Sequence, residues 1–303
     1  MEEIKVRGEK LGFDTAVALG VFDGVHLGHR TVIDRAVSLG NGELRSAVFT
    51  FRQDTVVNKG RVRLLSDEDK LYRLSQRRVD IVCSPDFNEV RGLSPEDFVR
   101  EIVAGQLRCR YAVCGNDFRF GKAAAGDARL LAELGREYGF ETVVLDKLAL
   151  GGETVSSTLI KEHIQNGEIV RANELLGYRF GYRLPVIHGM ELARTWDFPT
   201  INQLLPPGIV MPRFGVYCSR VKFGGQRYTG VTNIGIKPTL GKTRAPLAET
   251  YILGYNGDLY GKTVQVSLER FLRPERKFDS LEDLRRQIGL DTAEASKKLM
   301  IDG

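Results

Sequence analysis

The hydrophobic periodicity of this chain changes once, and that change limits the folds open to it. Up to about residue 176, short apolar runs alternate with amphipathic helical segments. "TAVALGVF", "LRSAVFTF", "VDIVCSPDF", "YAVCGNDF" and "ETVVLDKL" read as buried strands. "HRTVIDRAVSLG", "DEDKLYRLSQR", "LSPEDFVREIVAGQL" and "DARLLAELGREYG" read as helices between them. In "LSPEDFVREIVAGQL", Ser94 stands as N-cap, Pro95 at the first helical position, and two acids follow in the first turn. Strands and helices alternating at this spacing predict a doubly wound parallel sheet, which takes its ligands at the carboxyl ends of its strands.

"SSTLIKEHIQNGEIVRANELLG" reads as two short helices around Gly167, and beyond it the pattern turns to strands. "FGVYCSRVKF", "QRYTGVTNIG", "ETYILGYN" and "KTVQVSLERFL" are joined by the turn pairs Gly224-Gly225 and Asn256-Gly257, and a helix from "SLEDLRRQIGL" closes the chain. Antiparallel strands followed by one helix predict a small barrel. The change falls near residues 178–184, "YRFGYRL", giving domains 1–180 and 181–303. At 303 residues, with 42% apolar residues, either half is large enough for its own core.

The charge balance is mild, +5, and spread along the chain without a run of like charges, which argues against a nucleic-acid tail. "MEEIKVRGEK" lacks the apolar stretch of a signal peptide, and no apolar run approaches the ~18 residues of a membrane helix. The four cysteines form no C-x-x-C pair, so the natural expectation is a cytoplasmic protein with reduced thiols.

Half of the four histidines sit in one glycine-rich stretch, "ALGVFDGVHLGHR". A strand ending in Gly20-Val21-Phe22-Asp23-Gly24 and entering a helix near residue 28 presents free backbone N–H groups to an anion. Gly24 and Gly28 leave room for a phosphate to approach the backbone. His26 and His29 can donate hydrogen bonds to phosphate oxygens, and a bound polyphosphate would favour their charged form. Three-residue spacing without an intervening Glu makes a metal site the weaker reading. A plain turn carrying two surface histidines is the bland one.

His26-Leu27-Gly28-His29 resembles the H-x-G-H signature of the nucleotidylyltransferases. The longer "GVFDGVHLGHR" resembles the bacterial bifunctional riboflavin kinase/FAD synthetases. The likeness continues in order through "LSPEDFVREI", "VCGNDFRFGKAAAGD" and "VSSTLIKEHIQNGEIVRANELLGYRF". It runs on through "FPTIN", "GVYCSRV", "GVTNIGIKPTL", "ETYILGYNGDLYGKTVQV" and "FLRPERKFDSLEDLRRQI", nearly the whole chain. The resemblance implies a first domain that joins FMN to ATP, making FAD and pyrophosphate, and a second that phosphorylates riboflavin with ATP and Mg²⁺. ATP, riboflavin and FMN would be the partners, with no nucleic acid or membrane involved and self-association left open.

The resemblance also implies roles. His26 and His29 would stabilise charge on the ATP phosphates, while Gly20, Phe22, Asp23, Gly24 and Gly28 shape the nucleotide turn. Ser156, Ser157, Thr158 and Lys161 would hold the pyrophosphate, and Asn116 and Asp117 would line the flavin side. In the second domain Thr200 and Asn202 would bind Mg²⁺ and phosphates, and Glu249 would be the general base. Read alone, Ser156–Thr158 are a serine-threonine cap, Asn116-Asp117 a turn, and Glu249 a solvent-facing strand residue. Three departures stand out. Phe51 is followed by Arg52-Gln53-Asp54-Thr55 where the family has F-x-P-H-P. Lys161 replaces an arginine, losing its bidentate fork. Gly189 and Arg194 alone survive of a glycine-rich flap, now containing Trp196. The departures leave room for two rival readings: a chain with one impaired activity, the kinase before the synthetase, or a non-catalytic flavin or nucleotide binder. A transferase acting on another phosphorylated acceptor is a third.

Overall fold

The computed structural model describes residues 1–40, 42–52, 62–188, 200–238 and 244–301. Gln53, Asp54 and Thr55, and the flap residues Gly189, Arg194 and Trp196, lie outside the described residues. The chain divides into two compact units, Met1–Ser157 and Thr158–Gly303.

The first unit begins with strands β1 (Glu2–Ile4) and β2 (Thr15–Leu19), helix α1 (Leu27–Leu39), β3 (Arg45–Phe49), α2 (Asp67–Ser75) and β4 (Ile81–Cys83). Helical turns α3 (Phe87–Val90) and α4 (Pro95–Asp97) precede a π-helical stretch, Phe98–Gln106. Then come β5 (Cys109–Gly115), the small hairpin β6 (Arg119–Phe120) and β7 (Gly126–Asp127), α5 (Ala128–Tyr138), β8 (Glu141–Leu145), and a second hairpin, β9 (Ala149–Leu150) with β10 (Glu153–Thr154). The main strands form one six-stranded sheet in the order β1-β4-β3-β2-β5-β8, parallel throughout. From β2 the chain builds outward through β3 and β4, then returns to place β5 on the other side of β2. The order reverses between β2 and β5, so their carboxyl ends flank the crevice where such sheets bind ligands.

β2 is buried at every residue, as the continuous apolar run "TAVAL" requires of a central parallel strand. Val17, Leu19, Phe49, Ile81, Phe98, Ile102 and Leu131 share one core, and α1 turns Val32, Ile33 and Ala36 inward. Ser94 and Pro95 begin their helix as the sequence predicts. The stretch after them departs from a plain α-helix: the Leu107 N–H donates to the Ile102 carbonyl, five residues back, at 2.8 Å. Gly105 permits the wide turn, since a Cβ there would stand 2.6 Å from the Arg100 carbonyl oxygen.

The second unit carries α6 (Ser157–Asn166, whose first residue belongs to the first unit), α7 (Ile169–Leu176), β11 (Gly181–Pro185), β12 (Thr200–Leu204), β13 (Gly215–Phe223), β14 (Gln226–Pro238), β15 (Arg244–Ile252), β16 (Thr263–Arg273) and α8 (Leu281–Ile301). Its six strands are antiparallel in the order β11-β16-β13-β14-β15-β12. The two edges meet where the Ile187 N–H donates to the Asn202 carbonyl at 2.8 Å, nearly closing a barrel. Gly224 and Gly225, both at positive φ (54° and 79°), make the two-residue turn between β13 and β14. The Asn256-Gly257 pair does not close a hairpin. β16 pairs with β13 and β11 instead of β15, because residues 253–262 carry the chain across the barrel end. Inside, Ser219, Thr232 and Thr250 form a hydroxyl ladder at 2.7 and 2.9 Å. α8 packs Ala295 against Val216, Cys218 and Val231, and Asp291 grips the Arg273 guanidinium at 2.8 Å. α6 and α7 are tied to this unit by the Arg213 N–H to Ile164 carbonyl bond and by Asn173, which bonds Leu268 and Phe180.

Candidate functional sites

In the first unit the stretch from Gly20 to His29 leaves the carboxyl end of β2 and opens α1. Its backbone is bent hard. Phe22 and Val25 hold positive φ (51° and 41°), and Gly24 sits at 93°. A β-branched residue in that region is a real outlier, costing ~1–3 kcal/mol, and such strain collects at functional turns. Space is tight at Gly24 too: a Cβ would stand 2.5 Å from Leu64 Cδ1, so the leucine would have to move. Asp23 is buried and holds the turn from both ends of the residue: Oδ1 accepts from the Leu64 N–H at 2.8 Å, and its carbonyl accepts from Ser157 Oγ at 2.7 Å. Thr50 Oγ1 donates to the Val21 carbonyl at 2.8 Å, lacing the exit of β3 to the same turn.

His26 caps α1 with its imidazole. Nδ1 accepts from the His29 N–H at 3.2 Å, which leaves Nε2 as the protonated nitrogen of the neutral ring. The rings of His26 and His29 stack with centroids 3.5 Å apart, and Phe22 meets His29 edge-on at 5.4 Å. His26 is 4% exposed, so these are not two surface histidines. Burial pushes His26 down to about 4. His29 lies well below the usual range, through burial first and then the nearby His26 and Lys70. Both rings are therefore neutral near pH 7. A Cβ on Gly28 would lie 3.4 Å from the His26 ring, so a side chain there would cover it.

Among the other residues expected at this site, Ser157 Oγ donates to the Asp23 carbonyl and so ties the start of α6 to the turn. Ser156 precedes it, and Thr158 and Lys161 follow on α6. Asn116 and Asp117 lie just past β5, at the neighbouring carboxyl end. There the Asn116 N–H donates to the Leu145 carbonyl at 2.9 Å, Asn116 Nδ2 donates to Asp146 at 3.0 Å, and Asp117 pairs with Lys147 at 2.9 Å. One residue that sequence reasoning did not single out is Lys70 on α2, fully buried beside this turn.

In the barrel, the strand register puts Asn202, Glu249 and Asn233 in one row across β12, β15 and β14. Thr200, two residues from Asn202, shares their face. That face is opposite the hydroxyl ladder and is the one on which α8 packs at Val231. Asn202 is 6% exposed, and its Oδ1 is shut off from solvent with no hydrogen-bond partner. A buried amide oxygen left without a donor suits a hard cation, which takes oxygen ligands. Asn233, also unforeseen from sequence, donates Nδ2 to Glu275 at 3.1 Å.

The α/β unit thus offers a strained, amide-rich turn with two neutral ring donors at a sheet's switch point, the site type of a nucleotidyl transferase. The barrel offers oxygen donors in register with a carboxylate, the site type of a phosphotransferase. Residues 10–159 match the family model for FAD synthetase and residues 176–299 that for riboflavin kinase. Curated relatives named bifunctional riboflavin kinase/FMN adenylyltransferase include those of Bacillus subtilis (35% identical, covering 93% of this chain and 91% of that one) and Escherichia coli K12 (35%, 91% and 90%). The chain belongs to the bifunctional riboflavin kinase/FMN adenylyltransferase family. A solved structure named a macrolide-efflux protein, from Streptococcus pneumoniae, matches the fold over 96% of this chain and 97% of its own at 26% identity and a TM-score of 0.85. Among the described residues of this chain, no helix is long and apolar enough to cross a membrane.

Proposed function

We infer that this transferase makes FMN from riboflavin and ATP in its barrel, and FAD from FMN and ATP in its α/β unit. The observation that supports the reading is the presence of two side-chain constellations in one chain: the stacked His26/His29 pair on its strained turn, and the Asn202–Glu249–Asn233 row.

In adenylyl transfer a phosphate oxygen of FMN forms a bond to the α-phosphorus of ATP. The bond from that phosphorus to the bridging oxygen breaks, and pyrophosphate leaves with the electron pair. The chain's work is positioning and charge stabilisation. His26 donates from Nε2, the nitrogen its cap bond leaves protonated. Backbone N–H groups of the turn and of α1 receive phosphate oxygens. Ser156, Thr158 and Lys161 hold the leaving pyrophosphate, with Ser157 fixing the turn behind them. Asn116 and Asp117 line the flavin side. In the kinase half, Glu249 takes the proton of the ribityl hydroxyl as it attacks the γ-phosphorus, and the bond from that phosphorus to the bridging oxygen breaks as ADP leaves with the electron pair. Thr200 and the unpaired Asn202 oxygen are the residues that would hold Mg²⁺, which when bound neutralises phosphate charge. We assign adenylyl transfer to residues 1–180 and the kinase to 181–303. The setting is the cytoplasm, which suits four free, buried cysteines. The reading needs neither nucleic acid nor a membrane.

The test is one incubation of purified protein with riboflavin, ATP and Mg²⁺, followed by chromatographic separation of riboflavin, FMN and FAD. FMN should appear first and FAD after it. A protein that leaves riboflavin untouched and fails to convert supplied FMN would overturn the reading.

A further inference from the structure

Helix α2 carries a charge where a core-facing helix ordinarily carries Leu or Met. Lys70 is 0% exposed, and it shares its buried stripe with Leu74, one turn on. Its Nζ donates to the Phe51 carbonyl, and its carboxylate partner, Asp67 Oδ1, stands at 3.7 Å on the first turn of the same helix. Phe51 lies two residues past β3. One residue earlier, Thr50 Oγ1 holds the Val21 carbonyl of the Gly20–His29 turn. The lysine therefore grips, from beneath, the segment laced to the histidine turn.

The charges around it point the same way. Asp23 from the turn and Asp67 from its own helix favour the ammonium. Arg63, on the segment leading into α2, opposes it, and the Lys70 charge in turn helps hold His29 neutral. Burial outweighs the two carboxylates and brings Lys70 down to about 8, so the ammonium persists at neutral pH. Burying a cation carries a desolvation cost that a carbonyl and two nearby carboxylates must offset, so an ammonium is an expensive choice for a core-facing helix position. A group with such a cost, held at the edge of a site, has the mark of function.

We propose that Lys70 is a positioning residue for adenylyl transfer: its buried ammonium fixes the exit of β3 through the Phe51 carbonyl and keeps a positive charge beneath the His26–His29 turn where the triphosphate is received. The proposal rests on the adenylyltransferase reading above. A triphosphate drawn to the turn meets neutral hydrogen-bond donors in front and a fixed cation behind, so charge on the reacting phosphates is met without a proton moving.

The test compares wild type with Lys70→Met, which keeps the length and removes the charge. FAD formation from supplied FMN is followed from pH 6.5 to 9.5, with riboflavin phosphorylation by the same protein and the thermal midpoint as controls. Lys70→Met should fold and keep kinase activity, while kcat/KM for ATP in FAD formation falls by roughly 10². In wild type that kcat/KM should decline above pH about 8 as the ammonium loses its proton, and this limb should be missing from the variant. Equal FAD formation by the two proteins, or the same alkaline limb in both, overturns the role of Lys70 alone. Wild type that makes no FAD at all overturns the adenylyltransferase reading along with it. Should Lys70→Met fail to fold, the alkaline limb of wild type decides: its absence refutes the proposal.

Discussion

The two sites of this chain are built in opposite ways. The nucleotide turn is contiguous: ten residues, Gly20 to His29, supply the bend, the helix cap and both rings. The barrel site is assembled across three strands, and its row of Asn202, Glu249 and Asn233 exists only once β12, β15 and β14 are in register. Electrostatics follow the same division. Burial makes neutral donors of the histidines, whereas the barrel sets amide oxygens beside a carboxylate. A contiguous site depends on its own backbone strain and desolvation, and so responds to pH. A site made by register depends on the sheet, and so responds to the individual side chain.

The largest effect that would sharpen this contrast is loss of the base proposed for the barrel. Glu249→Gln keeps size and strand pairing and should cut FMN formation by about 10²–10⁴, with FAD formation from supplied FMN unchanged. Next is the turn: His29→Ala should lower FAD formation by about 10²–10³ and spare the kinase. Loss of both activities together in either variant would break the comparison.

Acid should separate the two units thermodynamically. His26 titrates at about 4 in the folded chain and near 6.5 unfolded, so the unfolded state binds more protons between those values. Stability of the first unit should fall as pH drops from 6.5 to 4, by about 3 kcal/mol at 1.36 kcal/mol per unit. Calorimetry across that window should show an FAD-synthetase transition that His26→Asn, which retains a capping side chain, makes less pH-dependent. The smallest effect concerns the bond from Ser157 to the Asp23 carbonyl. Ser157→Ala should cost ~1 kcal/mol, roughly fivefold in kcat/KM for FAD formation, without touching FMN formation.

The same contrast explains what could be read from the sequence. The parallel unit announces itself because each buried strand is a run such as "TAVAL" bounded by helices with clear caps, as at Ser94-Pro95. The histidine turn is legible because its chemistry is adjacent in sequence, but the neutrality of its rings is not, since burial belongs to the folded state. In the barrel, Thr200, Asn202 and Glu249 come from resemblance; pattern alone leaves Glu249 as a surface strand residue, because register is a long-range property. For that reason the turn pair at Asn256-Gly257 suggests a hairpin that the sheet does not contain. Asn233 and Glu275 meet across 42 residues and leave no local sign. Lys70 is hidden differently. In "DEDKLYRL" it looks like a solvated partner of its acidic neighbours, and the single hint is its place four residues before the core Leu74.

The central claim is that two independent sites in one chain run consecutive reactions, and a mixing experiment tests it most directly. Purified Glu249→Gln and His29→Ala are each given riboflavin, ATP and Mg²⁺, separately and then together, and the flavins are separated by chromatography. Alone, the first should leave riboflavin unchanged and the second should stop at FMN. Together they should make FAD, because FMN released by one protein is adenylylated by the other. A mixture that yields FMN but no FAD, although the Glu249→Gln protein converts supplied FMN, would contradict free transfer between the sites. A Glu249→Gln protein that cannot use supplied FMN would contradict their independence.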